Sequence, residues 1–152
     1  MNNKRGQSPI GRKAVYYSFL IAPLIYIVLM LEMMYFIEWE AVAPFPEVAY
    51  LAPLYALVML VLPKKVQNSI WQKRKTQVHS LEEFHTAYFS VSMVSVAMAE
   101  SIGVIGLFVY FLTADLTVPV AMCVLSMFAV YSIIPKQAEL DERIRELHLE
   151  SN

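Results

Sequence analysis

The sequence predicts an all-α membrane protein, a four-helix transmembrane bundle made of two hairpins with both ends on the same side. Three observations carry this reading. Hydrophobic residues make up 58% of the 152 residues and the mean hydropathy is +0.51, too apolar for an ordinary soluble domain of this length. The apolar residues gather into four stretches near 14–37, 48–62, 80–112 and 116–134. All twelve lysines and arginines fall on one side of that pattern: Lys4, Arg5, Arg12 and Lys13, then Lys64, Lys65, Lys73, Arg74 and Lys75, then Lys136, Arg143 and Arg145. The other two connections, about 38–48 and 113–116, hold acids and no base. Positive charge beside membrane spans is retained in the cytoplasm, so the expected topology is N-in and C-in.

The first span, 14–37, follows a polar segment, 1–13, in which Gly6, Pro9 and Gly11 predict a disordered cytoplasmic N-terminus. Tyr16 and Tyr17 mark the inner edge of the span and Trp39 its outer edge, where amphipathic rings favour the headgroup zone. Pro23 predicts a bend. Ala41-Val42-Ala43 has the form of a signal-peptide cleavage site. The preceding apolar stretch far exceeds the 7–15 residues of a signal h-region, so an uncleaved anchor is expected. The second span, 48–62, is short and holds Pro53.

An inner linker, 63–79, is expected to start at Pro63-Lys64-Lys65 and to rest on the anionic leaflet. Trp71 lies beside Lys73, Arg74 and Lys75, and each base near such a surface contributes about 1 kcal/mol. Ser80-Leu81-Glu82-Glu83 has the form of a capping box and opens the third span. Asp115 or Thr117 is positioned to cap the fourth, and Pro119 is tolerable in its first turn. The tail, 136–152, is a short amphipathic helix candidate, with Leu140, Ile144 and Leu147 in an apolar stripe. Glu139–Arg143 and Asp141–Arg145 are acid-first pairs at i, i+4, worth a few tenths of a kcal/mol each. The halves share a plan: an acid in the first helix, Glu32 or Glu100, and Pro-Lys after the second, at Pro63-Lys64 and Pro135-Lys136. This suggests a parallel topological repeat.

The third span carries the candidate site. Ser92, Ser95, Ala99, Gly103 and Gly106 share one face at helical period, and Ser95-Ala99-Gly103 makes two small-xxx-small steps. Membrane helices associate by close packing, so Ser95, Ala99, Gly103 and Gly106 predict a helix seam. Glu100 flanks it near mid-span, where an ionised carboxylate costs roughly 2.5–3.5 kcal/mol. No Lys or Arg lies within a span to pair with it. Tyr26, Tyr55 and Tyr131 are candidate hydrogen-bond donors to it. Glu32, among Met30, Met33 and Met34, is a second acid nearer the outer end. If it faces Glu100, the two titrate as a coupled pair.

Enzyme and cofactor chemistry is not expected. His79, His85 and His148 lie at or beyond the inner boundary, where they supply no axial ligands to a haem within the bundle. The chain has no HExxH motif, no glycine-rich phosphate loop and no metal-ligand cluster. Its membrane serines have no intramembrane histidine as base. Cys123 is the only cysteine. The basic residues are explained by topology and imply no nucleic-acid partner.

The stretch Ala99-Glu100-Ser101-Ile102-Gly103-Val104-Ile105-Gly106-Leu107-Phe108-Val109 resembles the ion-binding helix of rotary ATPase proteolipids. That resemblance implies an ion-carrying role for Glu100. The family's glycine-rich partner helix has no counterpart among Gly6, Gly11, Gly103 and Gly106, so a rotor ring is not expected. From Leu81 to about Leu147 the organisation resembles small uncharacterised bacterial four-transmembrane-helix proteins, which implies fold and location in the cytoplasmic membrane but no activity. The expected function is a non-catalytic membrane protein, an accessory or assembly subunit. Its expected partners are the lipid bilayer and a membrane protein or a second copy of itself. The alternative is a small proton- or cation-conducting protein using Glu100 with Glu32.

Overall fold

The computed structural model describes residues 9–37 and 46–147. The sequence features at Lys4, Arg5, Gly6, the outer turn 38–45 with Trp39, and His148 lie outside them. The described residues form five α-helices and no strand: α1 (Pro9–Glu32), α2 (Pro46–Arg74), α3 (Leu81–Thr113), α4 (Thr117–Ile133) and α5 (Gln137–Glu146). A π-helical turn, Met33–Ile37, extends α1, and a 3₁₀ turn, Lys75–Gln77, follows α2.

Three helical stretches among the described residues are long and apolar enough to cross a membrane: Lys13–Ile37, Leu81–Thr113 and Thr117–Glu146. α1 begins at Pro9, inside the segment expected to be disordered, and α3 covers nearly the residues expected for the third span. The second span does not reach the same standard. Its apolar part ends at Leu62, about 17 residues after Pro46 and at the lower limit for a crossing. The helix nevertheless runs on through Pro63 to Arg74, across most of the segment expected to be a linker. Proline removes one N–H but leaves the turns on either side able to form. Lys73 and Arg74 then complement the carbonyl end of the helix.

The packing is not two side-by-side hairpins. Among the described residues α3 and α4 form the closest pair, while α1 and α2 each pack mainly on both of them rather than on each other. The α3–α4 pair therefore separates α1 from α2. Exposed large apolar side chains concentrate accordingly on the outer helices, including Ile21, Ile25 and Val28 of α1 and Leu51, Leu54 and Leu57 of α2. An apolar surface that extensive on a monomer signals a lipid or protein environment.

The expected seam is where α3 meets α4. Ser95, Ala99, Gly103 and Gly106 are all buried. A Cβ built on Gly106 would meet the Pro119 carbonyl oxygen at 3.0 Å and Met122 Cβ at 3.1 Å. One built on Gly103 would meet Tyr26 Cδ2 at 3.3 Å and Ser126 Oγ at 3.4 Å. At Gly106 the contact is α4 backbone, and only glycine lets it come this near.

The helix ends follow local chemistry. Ser80 Oγ accepts from the Glu83 N–H at 3.2 Å. The Glu83 carboxylate reaches back to the His79 N–H at 2.9 Å, one residue earlier than a capping box requires. Asp115 accepts from the Thr117 N–H at 2.7 Å, which pulls its carboxyl below the ordinary value and ties down the start of α4. Ala114 closes α3 in the left-handed region, with φ 53° and its N–H on the Tyr110 carbonyl.

The basic end has a core of its own. Trp71, Val78, Phe84, Tyr88 and Val91 are buried together, and Leu140, Ile144 and Leu147 of the tail pack on them. Trp71 is therefore not a leaflet anchor: it is 1% exposed and meets Phe84 and Tyr88 edge-on at 5.4 and 5.1 Å. The Arg143 guanidinium lies over Tyr88 at 5.3 Å and Trp71 at 5.9 Å. It also pairs with Glu139 at 3.1 Å and donates to Asn68 at 3.2 Å. The expected Asp141–Arg145 ion pair is replaced by a bond from Arg145 Nε to the Asp141 carbonyl, 3.4 Å.

Gly106→Ala and Gly103→Ala should part company. Each gains about 1 kcal/mol of helix propensity. At Gly106 the new methyl strikes backbone, and overpacking costs roughly 1–3 kcal/mol. At Gly103 the tightest contact is a side chain, the Tyr26 ring edge at 3.3 Å, and a shift of a few tenths of an ångström relieves it. Unfolding in graded denaturing detergent should show net loss for Gly106→Ala and near-neutrality for Gly103→Ala.

Candidate functional site

Three consecutive residues of α3 receive one polar contact from each of the other long helices. Ser126 Oγ of α4 donates toward the Ala99 carbonyl at 3.2 Å and lies 3.4 Å from that of Glu100. The Tyr26 hydroxyl of α1 donates to Glu100 Oε1. The Tyr55 hydroxyl of α2 shares a hydrogen bond with Ser101 Oγ at 2.6 Å, and that Oγ also bonds the Met98 carbonyl at 2.6 Å. Residues 99–101 point about 100° apart in turn, so three successive positions face three different neighbours. The result is a polar layer across the bundle. One further bond lies toward the basic end, where buried Gln67 Nε2 of α2 donates to buried Ser92 Oγ at 3.0 Å.

Of the three tyrosines considered as donors to Glu100, the structure selects Tyr26. Tyr55 serves the next residue along, and Tyr131 is 63% exposed on α4. Ser95 Oγ is buried without a partner, the one hydroxyl of the seam left so among the described residues. Ser126 was missed as a contributor. Its signal was a small polar residue in an otherwise apolar helix, but its direction is set only by the glycine-permitted approach of α3.

Glu100 is partly buried and borders a shallow groove between α1 and α3, lined by Ser18, Phe19, Ala22, Tyr26 and Glu100. Ser18, Ala22 and Tyr26 recur every four residues, so they form one stripe of α1. Glu32 does not join this site. It is exposed and lies six residues beyond Tyr26, roughly 120° around the helix and about 9 Å along it. The condition for a coupled pair, Glu32 facing Glu100, is not met among the described contacts, because the face of α1 that bonds Glu100 is the Tyr26 face.

The basic residues expected to face lipid split into two groups. Lys64, Lys65, Lys73 and Arg74 are exposed, whereas Lys75 is partly buried. No group of three or more His, Cys, Asp or Glu side chains among the described residues is arranged to hold a metal. Cys123 is buried and free, its sulfur 4.0 Å from the Gly103 carbonyl.

No family model, curated protein or solved structure matches this chain. The hydroxyls and carboxyl of the polar layer occupy one another across helices, as buried polar groups in an apolar surround must.

The Tyr26–Glu100 contact should show measurable coupling. Tyr26→Phe and Glu100→Ala should each destabilise the bundle. The double variant should lose less than their sum, with an interaction of about 0.6–1.7 kcal/mol, the scale of interhelical hydrogen bonds in membranes. Denaturing-detergent titration of the four proteins reads it.

Proposed function

We propose that this chain is a non-catalytic integral protein of the bacterial cytoplasmic membrane, an accessory or assembly subunit of a larger membrane complex. It crosses four times, with both termini cytoplasmic. The observation that carries this reading is the polar layer at Ala99, Glu100 and Ser101. Its groups are bound to the other helices rather than gathered around a reaction centre. The α2 helix supplies the fourth crossing with its first 17 or so residues. Lys64 and Lys65 follow at once, and long side chains of this kind reach the headgroups while their stems stay in the apolar zone.

The groove beside Glu100 supports a partner. Ser18 and Ala22 are small enough to admit a second helix at short range, and Glu100 offers that helix a polar contact at mid-depth. Intramembrane carboxyls are costly, and a shared hydrogen bond across an interface offsets the cost. The occupant is a transmembrane helix of another protein. A second copy of this chain is the other outcome.

Extraction of native membranes in mild detergent should bring down a different membrane protein with this chain, and Ala22→Trp should release it. Recovery of only monomer or homo-oligomer would sink the accessory reading. Glu100 also supports the second reading, proton or cation conduction, because a carboxyl hydrogen-bonded to a tyrosine at mid-span has the chemistry of a proton site. In liposomes that reading requires ion flux that Glu100→Gln abolishes. Flux left intact by the substitution removes it.

A further inference from the structure

A cavity of about 360 Å³ opens at the basic end, between the start of α1, the first turns of α3, the end of α4 and the tail helix α5. It is separate from the Glu100 groove and shares no residue with it. Its polar side holds Lys13, His85 and Gln137, and its apolar side Phe89, Ile134 and Leu140. No acidic side chain is among the described residues lining it. Three stretches distant in sequence, 13–17, 85–89 and 134–140, contribute, so the pocket exists only in the folded chain with α5 docked.

We propose that this cavity binds the headgroup of an anionic phospholipid drawn from the adjacent leaflet. The chemistry has two halves. Lys13 brings a full positive charge, and the Gln137 amide, one N–H of which bonds Asp141 Oδ1 at 3.0 Å, brings a second N–H, a set suited to phosphate oxygens. Phe89, Ile134 and Leu140 provide a wall for the glycerol and first methylenes. A free phosphate would use only the polar half. The volume sits at the low end of small-molecule sites, about 300–1,000 Å³, so it takes a headgroup and leaves the acyl chains in the bilayer. Position supports the lipid source. Lys13 stands at the start of the apolar stretch Lys13–Ile37, and Tyr17, one turn further on, is an exposed aromatic of the kind that favours the interface. Bound there, a lipid touches α5 as well as the bundle and ties tail docking to leaflet composition.

The test uses the full chain purified in neutral detergent and native mass spectrometry with added lipid. Phosphatidylglycerol should be retained in preference to phosphatidylcholine. Lys13→Gln should cut that retention about fivefold, the scale of one base beside a lipid anion, whereas Lys13→Arg should keep it. Lys13 is exposed, so the substitution leaves the fold intact, and an unchanged tryptophan emission spectrum, to which buried Trp71 contributes with Trp39, verifies this. Inorganic phosphate in large excess should not displace the lipid. Equal retention of the two lipids, indifference to Lys13→Gln, or displacement by inorganic phosphate would each overturn the proposal. None of these outcomes depends on whether a protein partner occupies the α1 groove.

Discussion

Polar groups placed where there is no water have only one another to bond, and that constraint organises the bundle around α3. The Glu100 carboxyl, the Ser101 and Ser126 hydroxyls and two tyrosines share one level among apolar side chains. Leaving any of them unpaired costs more than a typical hydrogen bond contributes, so the rotation of each helix is fixed by the need to reach its partner. Apolar packing alone would tolerate a small turn of α1 or α2, because one greasy face resembles another. A tyrosine hydroxyl tolerates far less. The glycines act one step earlier. Without the close approach at Gly103 and Gly106, Ser126 would stand too far from the Ala99 carbonyl to bond it.

The basic end is held by a different balance of forces. Trp71, Phe84 and Tyr88 bury large rings against one another, and the tail adds Leu140, Ile144 and Leu147. A free ten-residue helix such as α5 is marginal in water, so its order comes from this docking. The Glu139–Arg143 pair matters here for more than its few tenths of a kcal/mol as a surface pair. The Tyr88 hydroxyl donates to the same Glu139 oxygen at 3.0 Å, and the guanidinium covers two aromatic faces. A pair that would be incidental on an exposed helix therefore lies at the join between tail and bundle.

Signals confined to a few neighbouring residues were legible in advance. Ser80 and Glu83 announce a helix start within one turn. Ser95, Ala99, Gly103 and Gly106 announce a close-packed face by period alone, and a run of apolar residues announces a helix. Contacts set by distant segments were not legible. Trp71 beside Lys73-Arg74-Lys75 has the same sequence whether its ring lies in headgroups or against Phe84. The decision belongs partly to Arg143 and Leu140, some seventy residues on. Tyr26, Tyr55 and Tyr131 were equal candidates for Glu100 because the choice depends on how α1, α2 and α4 are rotated. Pro63 looked like a helix end because a local rule favours a break there, and packing of the following turns on α3 overrode it. The separation of α1 from α2 had no local signature at all.

That separation bears on how the molecule is made. Synthesis delivers α1 and α2 first, yet each packs mainly on the later pair rather than on the other. Tyr26, Tyr55 and Gln67 all have their hydrogen-bond partners on α3, which is still unmade when they emerge. Until α3 is made, those hydroxyls and that amide lack the partners they have in the finished bundle. The later pair then arrives between its two helices and closes the bundle, so the carboxy-terminal half is the template on which the earlier half is finished.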